Sequence, residues 1–407
     1  MPSSHAKPRD GCMASGVPIR RYPRFPEGAC HASIRRGCRE REGVTSRDRL
    51  FMERAYELAA RGVGSVAPNP AVGAVIVRDG KILGEGFHHR AGEPHGEANA
   101  LAQAGDARGA TVYVTLEPCN HVGRTPACAR ALIDARVARV VVGTPDPNPK
   151  TNGGGILSLR AAGIAVEVLD DARARRLIEP FAFAIRSDRS YVALKMAMSL
   201  DGRITSRPGV QEWITCEEER AYVGDLRFAH DAVMVGAGTV RVDDPQLTVR
   251  PARHRVRPFT RIVACETAPV PASSRVFAEV DDYARTLVLA PAGARERFAE
   301  LEGVAELAFV GDEHSMNLDL ALAMQATRAF GVQSILCEGG PTLGARLIAS
   351  GLVERVYWAI APRFLTSPEA VPVLAGADLA NLAARLRFDS LEHVGEDVML
   401  SGRFDRV

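Results

Sequence analysis

The fold of the first half of the chain is decided by Pro94-His95-Gly96-Glu97 and Glu117-Pro118-Cys119, followed by Cys128. One imidazole and two thiolates are ligands that Zn²⁺ prefers, and they leave a fourth position for water. Zinc lowers the pKa of such a water to about 7, so hydroxide is available at neutral pH. Glu97 lies two residues from His95 and is suited to move protons between water and a substrate. The stretch therefore predicts a catalytic zinc site.

The spacing of the two cysteines departs from the most common pattern. His-x-Glu followed by Pro-Cys after an apolar strand is typical of zinc nucleobase deaminases, most of which carry Pro-Cys-x2-Cys. Here eight residues separate Cys119 from Cys128, and Val122 occupies the position of the short spacing. His121 lies between the cysteines and is an alternative ligand. Chance is the other alternative, because a surface histidine or a core cysteine is common singly.

Composition bounds the remaining possibilities. The 407 residues are 46% hydrophobic and 25% charged, which is typical of a globular protein of two or three domains. The sequence has no apolar run long enough to span a membrane. Lys and Arg (51) balance Asp and Glu (49), and aromatic residues are only 6%, so neither nucleic acid nor a membrane is an expected partner. Without a secretory leader, the eight cysteines indicate a cytoplasmic protein with thiols or metal ligands rather than disulfides.

Residues 1–47 differ from the rest of the chain. The first 48 residues hold ten Lys or Arg against five acids and show no periodic apolar pattern. This composition is typical of a disordered basic tail, or of residues upstream of the true start. A nucleic-acid-binding arm and an Arg-rich targeting peptide are the alternatives.

The order of predicted elements divides the remainder into two α/β units, 48–190 and 191–407. Ser46 predicts the start of a capped amphipathic helix that ends at Gly62. Two apolar runs, 71–77 and 82–87, are joined by Asp79-Gly80, which predicts a hairpin. Strands and helices then alternate through both units, a pattern that predicts sheets flanked by helices.

The first unit resembles the pyrimidine deaminases of riboflavin biosynthesis. The resemblance rests on four motifs: Pro68-Asn69-Pro70-Ala71-Val72-Gly73, Pro94-His95-Gly96-Glu97, residues 115–128 and Asp146-Pro147-Asn148-Pro149. Gly96 stands where the family usually has Ala. The resemblance implies a cytidine-deaminase-like three-layer α/β/α fold, zinc bound by His95, Cys119 and Cys128, Glu97 as the catalytic residue and Asn69 as a base-reading amide.

The second unit resembles the reductases of the same pathway. The matching motifs are residues 194–204, Glu212-Trp213-Ile214-Thr215, residues 235–240, residues 243–250 and residues 337–343. The resemblance implies a dihydrofolate-reductase-like α/β fold that uses NADPH. Glycine-rich turns between a strand and a helix, as at 236–239 and 338–342, are suited to bind phosphate, although each is also an ordinary turn.

The resemblance also implies residue roles in the second unit. Lys195 is a proton donor or phosphate contact. The implied cofactor contacts are Ala197, Trp213, Thr239, Asp243, Gly340, Pro341, Thr342, Leu343, Gly344, Ala345 and Arg346. The implied substrate contacts are Gln211, Arg227, Leu247, Arg250 and Glu338, in addition to Asn69 in the first unit. The chain departs from the family at Gln211, usually Ser, and at Cys265-Glu266, where the family usually shows an acid directly after the strand.

Two consecutive reactions follow from the resemblance. The first removes the 2-amino group of 2,5-diamino-6-(5-phosphoribosylamino)pyrimidin-4(3H)-one by zinc-dependent hydrolysis, and the second reduces the ribosyl side chain with NADPH to give 5-amino-6-(5-phosphoribitylamino)uracil. We expect phosphorylated pyrimidine substrates, Zn²⁺ and NADPH as cofactors and a cytoplasmic homo-oligomer. A tRNA or nucleoside deaminase would lack the second unit, and a degraded binding protein would lack Glu97 or a ligand.

We predict that deletion of residues 1–47 leaves both activities unchanged within about twofold, because the tail has no apolar periodicity with which to join a core. Ammonia release and NADPH oxidation by the truncated and full chains test this. A large loss of either rate would show that the tail contributes to a site.

Overall fold

The structure is a computed structural model. It describes residues 44–120, 127–149, 151, 153–250, 255, 257–266, 268–278, 284–380 and 384–405. Most of the basic tail and the alternative zinc ligand His121 lie outside the described residues. No helix among the described residues is long and apolar enough to cross a membrane.

The first unit is built on a five-stranded sheet in the order β2-β1-β3-β4-β5. Strand β1 is antiparallel to β2 and β3, whereas β3, β4 and β5 are parallel. Its elements are α1 (Ser46–Gly62), β1 (Gly73–Arg78), β2 (Lys81–Phe87), α2 (Gly96–Ala104), β3 (Thr111–Val114), α3 (Cys128–Asp134), β4 (Arg139–Val142), α4 (Gly154–Ala161), β5 (Ala165–Val168), α5 (Ala172–Leu177) and α6 (Glu179–Ala184).

Helices cover both faces of this sheet. Ala74 and Ile76 of β1 pack in one core with residues of α2, α3 and α4, whereas Val75 and Val77 pack in a second core with residues of α1 and α5. Successive side chains of a strand point to opposite faces, so one apolar run supplies both cores. This is the predicted three-layer α/β/α arrangement.

Local signals at the start of this unit are confirmed with one correction. Helix α1 ends at Gly62 as predicted, but its N-cap is Thr45 rather than Ser46. The Thr45 hydroxyl accepts from the Asp48 amide and the Asp48 carboxylate accepts from the Thr45 amide, so the two residues form a capping box. Asp79 and Gly80 join β1 to β2 with positive φ angles of 52° and 74°, as a tight hairpin requires.

The second unit is built on a nine-stranded sheet in the order β11-β10-β9-β8-β12-β6-β13-β16-β15. Strands β6 and β8 to β13 pair in parallel, and β15 and β16 form an antiparallel hairpin that the sequence did not predict. Its elements are β6 (Tyr191–Ser199), β7 (Arg203–Thr205), α7 (Glu217–Ala229), β8 (Ala232–Gly236), α8 (Ala237–Asp243), β9 (Phe259–Ala264), β10 (Ala284–Pro291), β11 (Glu306–Val310), α9 (Leu320–Ala329), β12 (Ser334–Gly339), α10 (Pro341–Ala349), β13 (Arg355–Ala361), β14 (Val371–Pro372), β15 (Arg385–Val394) and β16 (Asp397–Asp405).

The two units are in direct contact through buried charges. Arg355 of β13 is 3% exposed and donates to Glu179 of α6 (2.7 Å) and to Asp389 of β15 (3.0 Å). Arg186, which follows α6, donates to the carbonyl of Pro147 within the first unit (2.7 Å). The last residues of the first unit are therefore held to one of its own loops and, through Glu179, to the second unit.

Asp48 is a buried junction between α1 and the sheet. It is 4% exposed and accepts from Tyr113 Oη and Arg139 Nη1, both at 2.6 Å. Burial alone would raise the pKa of Asp48, but the hydrogen bonds from Arg139, Tyr113 and Thr45 outweigh it and lower the pKa well below its usual value. The ionised carboxylate therefore stabilises the folded state.

We predict that Asp48→Asn lowers the free energy of unfolding by about 3 kcal/mol at pH 7, because it leaves Arg139 without its closest anion. Because the pKa of Asp48 is lower in the folded chain than in the unfolded chain, its ionised carboxylate stabilises the fold at pH values above the unfolded-state pKa, near 3.8. This stabilisation is lost as the pH falls through the folded-state pKa. The difference between variant and parent should therefore narrow below about pH 4. Urea unfolding at pH 7 and pH 3 measures the difference in free energy of unfolding between variant and parent. The control is Asp134→Asn, which removes an exposed ion pair to Arg130. An equal difference at both pH values would contradict this role.

Candidate zinc centre and reductase cleft

Three segments of the first unit converge at the carboxyl end of its parallel strands. His95 is the N-cap of α2, Cys119 lies five residues beyond the end of β3, and Cys128 is the first residue of α3. A Cβ on Gly96 would lie 2.8 Å from the carbonyl oxygen of Val72, so glycine lets the start of α2 approach β1 closely. Alanine, which the family usually carries here, would require a small shift of this contact.

The three side chains form a group that fits one zinc ion. Their donor atoms lie within 4.8 Å of one another. His95 Nδ1 is 3.6 Å from Cys119 Sγ and 3.3 Å from Cys128 Sγ. Ligands bonded to one tetrahedral zinc at about 2.0–2.3 Å are about 3.5 Å apart. No other group of three such side chains lies this close in the part of the chain that the structure describes.

The charges of the group favour a cation. A hydrogen bond from Cys128 lowers the pKa of the Cys119 thiol to about 4, and the amide of Cys128 also donates to Cys119 Sγ at 3.4 Å. The contact with Cys119 raises the pKa of His95. Without a metal, the two sulfurs and the imidazole share protons; a divalent cation can replace those protons.

Glu97 lies beside the three ligands and is almost completely buried. It is 3% exposed, and its Oε2 has no hydrogen-bond partner among the described residues. Burial raises the pKa of Glu97 to about 7. A buried carboxyl group that can take up and release a proton near neutral pH is suited to general acid–base catalysis.

Glu117 fixes the loop that carries Cys119, a role the sequence did not suggest. Its carboxylate is buried and accepts four backbone amides, from Asp146, Gly153, Gly155 and Ile156, at 3.0–3.1 Å. A Cβ on Gly155 would lie 1.8 Å from the Pro118 carbonyl oxygen, so the start of α4 packs directly on the zinc loop. Only the adjacency of an acid to Pro118-Cys119 could have indicated this role.

Asn69 reaches the centre through His88, which sequence reasoning missed. His88 Nδ1 is 3.1 Å from the carbonyl of Pro94, so this nitrogen donates. Burial lowers the pKa of His88, and the neutral ring then presents Nε2 as an acceptor to the Asn69 side-chain amide at 3.0 Å. With its N–H engaged, Asn69 has its carbonyl oxygen left as an acceptor. The His88 and His95 rings lie edge to face at 5.2 Å.

Two glycine-rich turns of the second unit lie side by side because β8 and β12 are paired. The first joins β8 to α8 and holds Gly236 and Gly238; the second joins β12 to α10 and holds Gly339 and Gly340. Gly340 has a φ of 91°, and a Cβ there would meet Thr239 Oγ1 at 3.0 Å. No described atom lies within 4 Å of a Cβ built on Gly238, so its backbone faces open space. The backbone amides of Thr342 and Leu343 in the first turn of α10 and the Thr239 hydroxyl suit the phosphates of a dinucleotide.

Buried ion pairs line the adjoining strands. Arg227 Nη2 donates to Glu338 at 2.7 Å, and its Nη1 donates to the Thr248 carbonyl at 2.6 Å. Burial would raise the pKa of Glu338, but Arg227 outweighs it and lowers that pKa. Lys195 Nζ lies 2.8 Å from Glu219, which also accepts from Thr215 at 2.8 Å. Sequence reasoning missed Glu219, although its 219, 222, 223 and 226 spacing places this acid on the apolar face of α7.

Some of the residues expected in the reductase site lie close together and are buried, whereas others are exposed. Lys195 contributes to the electrostatic environment of Glu338 on the neighbouring β12. Leu247 is buried with a φ of 54°, which is uncommon for a non-glycine residue. Arg250 is exposed and donates to Gln246 at 2.8 Å. Trp213 is 67% exposed beneath the Arg220 guanidinium, and Gln211 lies in the same loop.

Comparison with known families matches both sites. Residues 45–144 match the cytidine and deoxycytidylate deaminase zinc-binding region, and residues 190–400 match the RibD C-terminal domain. The fold and the sites define a zinc-dependent deaminase joined to a nicotinamide-dependent reductase, with Zn²⁺ and NADPH as cofactors.

Relatives match nearly the whole chain. Riboflavin biosynthesis protein RibD of Escherichia coli is 39% identical over 87% of this chain and 98% of its own length. Its counterpart from Aquifex aeolicus is 37% identical over 87% of this chain and 97% of its own length. The chain therefore belongs to the RibD family of riboflavin biosynthesis proteins, and it is a bifunctional deaminase and reductase.

Solved structures show the same architecture. Acinetobacter baumannii RibD superimposes with a TM-score of 0.74 at 34% identity, covering 88% of this chain and 99% of that one. A Thermotoga maritima diaminohydroxyphosphoribosylaminopyrimidine deaminase/5-amino-6-(5-phosphoribosylamino)uracil reductase superimposes with a TM-score of 0.75 at 32% identity, covering 88% of this chain and 99% of that one. The predicted fold class is confirmed for both units.

Proposed function

We propose that the chain deaminates 2,5-diamino-6-(5-phosphoribosylamino)pyrimidin-4(3H)-one at the first site and reduces the ribosyl group of the product at the second. The clustering of His95, Cys119 and Cys128 beside the buried Glu97 carries this proposal. The Thermotoga maritima relative is a diaminohydroxyphosphoribosylaminopyrimidine deaminase, which supports the choice of substrate.

In the deaminase site, the protein residues supply positioning and proton transfer. Bound zinc supplies an activated water at neutral pH. His95, Cys119 and Cys128 would hold the ion. Glu97 takes a proton from the water and delivers it to the departing amine, so ammonia leaves as the carbonyl forms. Its burial and its free Oε2 support this role.

Asn69 recognises the pyrimidine ring. His88 engages the amide N–H of Asn69, so the side-chain oxygen accepts a hydrogen bond from a ring N–H of the substrate. His88 acts through Asn69 and is a positioning residue. A pyrimidine that lacks this N–H would leave the Asn69 oxygen unpaired.

In the reductase site, NADPH, when bound, would supply the hydride that reduces C1 of the opened ribose. Lys195 donates the accompanying proton or contacts the phosphate, and Glu338 accepts from ribose hydroxyls. Because Arg227 is engaged with Glu338 and the Thr248 carbonyl, it orients Glu338, and the exposed Arg250 is left to bind the substrate phosphate with Gln211 and Leu247 nearby. Cofactor contacts come from Ala197, Trp213, Thr239, Asp243 and residues 340–346.

We further propose the division of the chain into a tail (1–47), the last three residues of which cap and begin helix α1, a deaminase domain (48–190) and a reductase domain (191–407), acting as a cytoplasmic homo-oligomer. The described cysteines are free thiols, which supports a reducing compartment. Phe388 and Leu391 are 49% and 60% exposed on the edge strand β15, which supports self-association. Light scattering on the purified chain tests the oligomer.

We predict that Glu97→Gln abolishes deamination while zinc stays bound, because Gln keeps the shape of the side chain but cannot carry a proton. His95→Ala should instead lose the metal, because it removes a ligand. Zinc content by elemental analysis and ammonia release separate the two effects. Loss of zinc from Glu97→Gln would contradict its role as a proton carrier rather than a ligand.

We predict that Lys195→Ala and Arg250→Ala lower NADPH oxidation by about 100-fold or more, because they remove a proton donor and a phosphate contact. Ammonia release from the first substrate should be unchanged, since neither residue belongs to the deaminase site. The two rates are measured on each variant, with deaminated pyrimidine supplied for the second. Glu97→Gln is the reciprocal variant and should still oxidise NADPH with that supplied product. Silenced reduction in Glu97→Gln would show that the two sites are chemically coupled.

A further inference from the structure

The loop that carries Asn69 is packed against the reductase unit at Gly64. Gly64 has a φ of 83°, and a Cβ on it would lie 2.3 Å from the carbonyl oxygen of Phe228 and 2.9 Å from two atoms of the Phe228 ring. No side chain fits between these backbones without displacing one of them. The contact joins the residue that follows α1 and Val63 to the last turn of α7.

Phe228 is itself held firmly within the reductase unit. Arg255 Nη1 donates to the Phe228 carbonyl at 3.1 Å, and its guanidinium lies 5.4 Å above the centre of the Phe228 ring. Arg255 is only 6% exposed. Gly64 therefore rests on a fixed surface rather than on a mobile side chain.

A short, hydrogen-bonded path leads from this contact to Asn69. The Ser65 amide donates to Gly62 and the Asn69 amide donates to Val66, both at 3.0 Å. On the other side, a Cβ on Gly62 would lie 2.6 Å from the His88 carbonyl oxygen. The segment 62–69 therefore packs against the end of β2 near His88 on one side and against the reductase unit on the other.

The two units also share a cleft at this loop. Val66 and Asn69 line it from the first unit, and Asp231 and Gln333 line it from the second, around a cavity of about 60 Å³. Asp231 is fixed by amides of Gln333 and Ser334 at 2.9 and 3.2 Å. Both walls of the cleft are therefore ordered by contacts within their own units.

We propose that the reductase unit positions the base-reading loop of the deaminase through the Gly64–Phe228 contact. The inference rests on the proposed role of Asn69. Gly64 and Phe228 are positioning residues: they touch no reacting atom and act by setting where Asn69 presents its oxygen. The deaminase site is consequently complete only when the reductase unit is seated against it.

Gly64→Ala in the full-length chain tests this. It should raise KM for deamination by about tenfold or more with a smaller change in kcat, because a displaced Asn69 loses substrate binding rather than proton transfer. Zinc content and NADPH oxidation with supplied deaminated product should stay unchanged. Gly163→Ala is the matched control, because Gly163 has the same φ of 83° but no described atom within 4 Å of its Cβ position.

Two further variants keep the outcomes distinguishable. Phe228→Ala removes the ring from the other side of the contact and should raise the same KM. Asn69→Ala tests the proposed function: an unchanged KM there would refute the base-reading role itself. If Asn69→Ala raises KM but Gly64→Ala and Gly163→Ala behave alike, the positioning by the reductase unit is refuted. An equal fall in zinc content and both activities in Gly64→Ala would also overturn it, because the contact would then be only structural.

Discussion

The carboxyl ends of parallel strands meet at one edge of a sheet, and both sites of this chain depend on that constraint. In the first unit, the segment after β3 carries Cys119, and Glu117 holds it against the segment after β4 by accepting amides from Asp146 and from the start of α4. In the second unit, the glycine turns after β8 and β12 lie next to each other because those strands are paired. Functional residues that are far apart in the sequence therefore lie close together at one edge of each sheet.

Residue type and spacing were sufficient to predict which side chains meet at the zinc centre. They were insufficient to predict many of the side-chain pairs in the reductase unit. Metal ligands are few in kind, so His95, Cys119 and Cys128 could be predicted to meet; likewise, Asp79-Gly80 specified a hairpin because few residues adopt positive φ. By contrast, the pairing of Lys195 with Glu219 depends on how α7 packs on β6, which no local pattern encodes. The β15–β16 hairpin was missed because its outer strand is largely exposed and lacks a clean apolar alternation.

Charge burial explains why the reductase residues have definite orientations. Arg227 pairs with Glu338 and Lys195 pairs with Glu219, so these four charges all have partners of opposite sign. The same principle operates between the units, where Arg355 of β13 binds Glu179 of α6. The close approach of Gly64 to Phe228 is a second contact between the two units.

The central claim is that His95, Cys119 and Cys128 bind a zinc ion that keeps one position open. Zinc K-edge X-ray absorption on the purified full-length chain tests it most directly. The account predicts about one zinc per chain with two sulfur neighbours at about 2.3 Å and two nitrogen or oxygen neighbours at about 2.0–2.1 Å. A shell of four sulfurs, a shell of nitrogen and oxygen alone, or an unchanged spectrum in Cys119→Ala would contradict it.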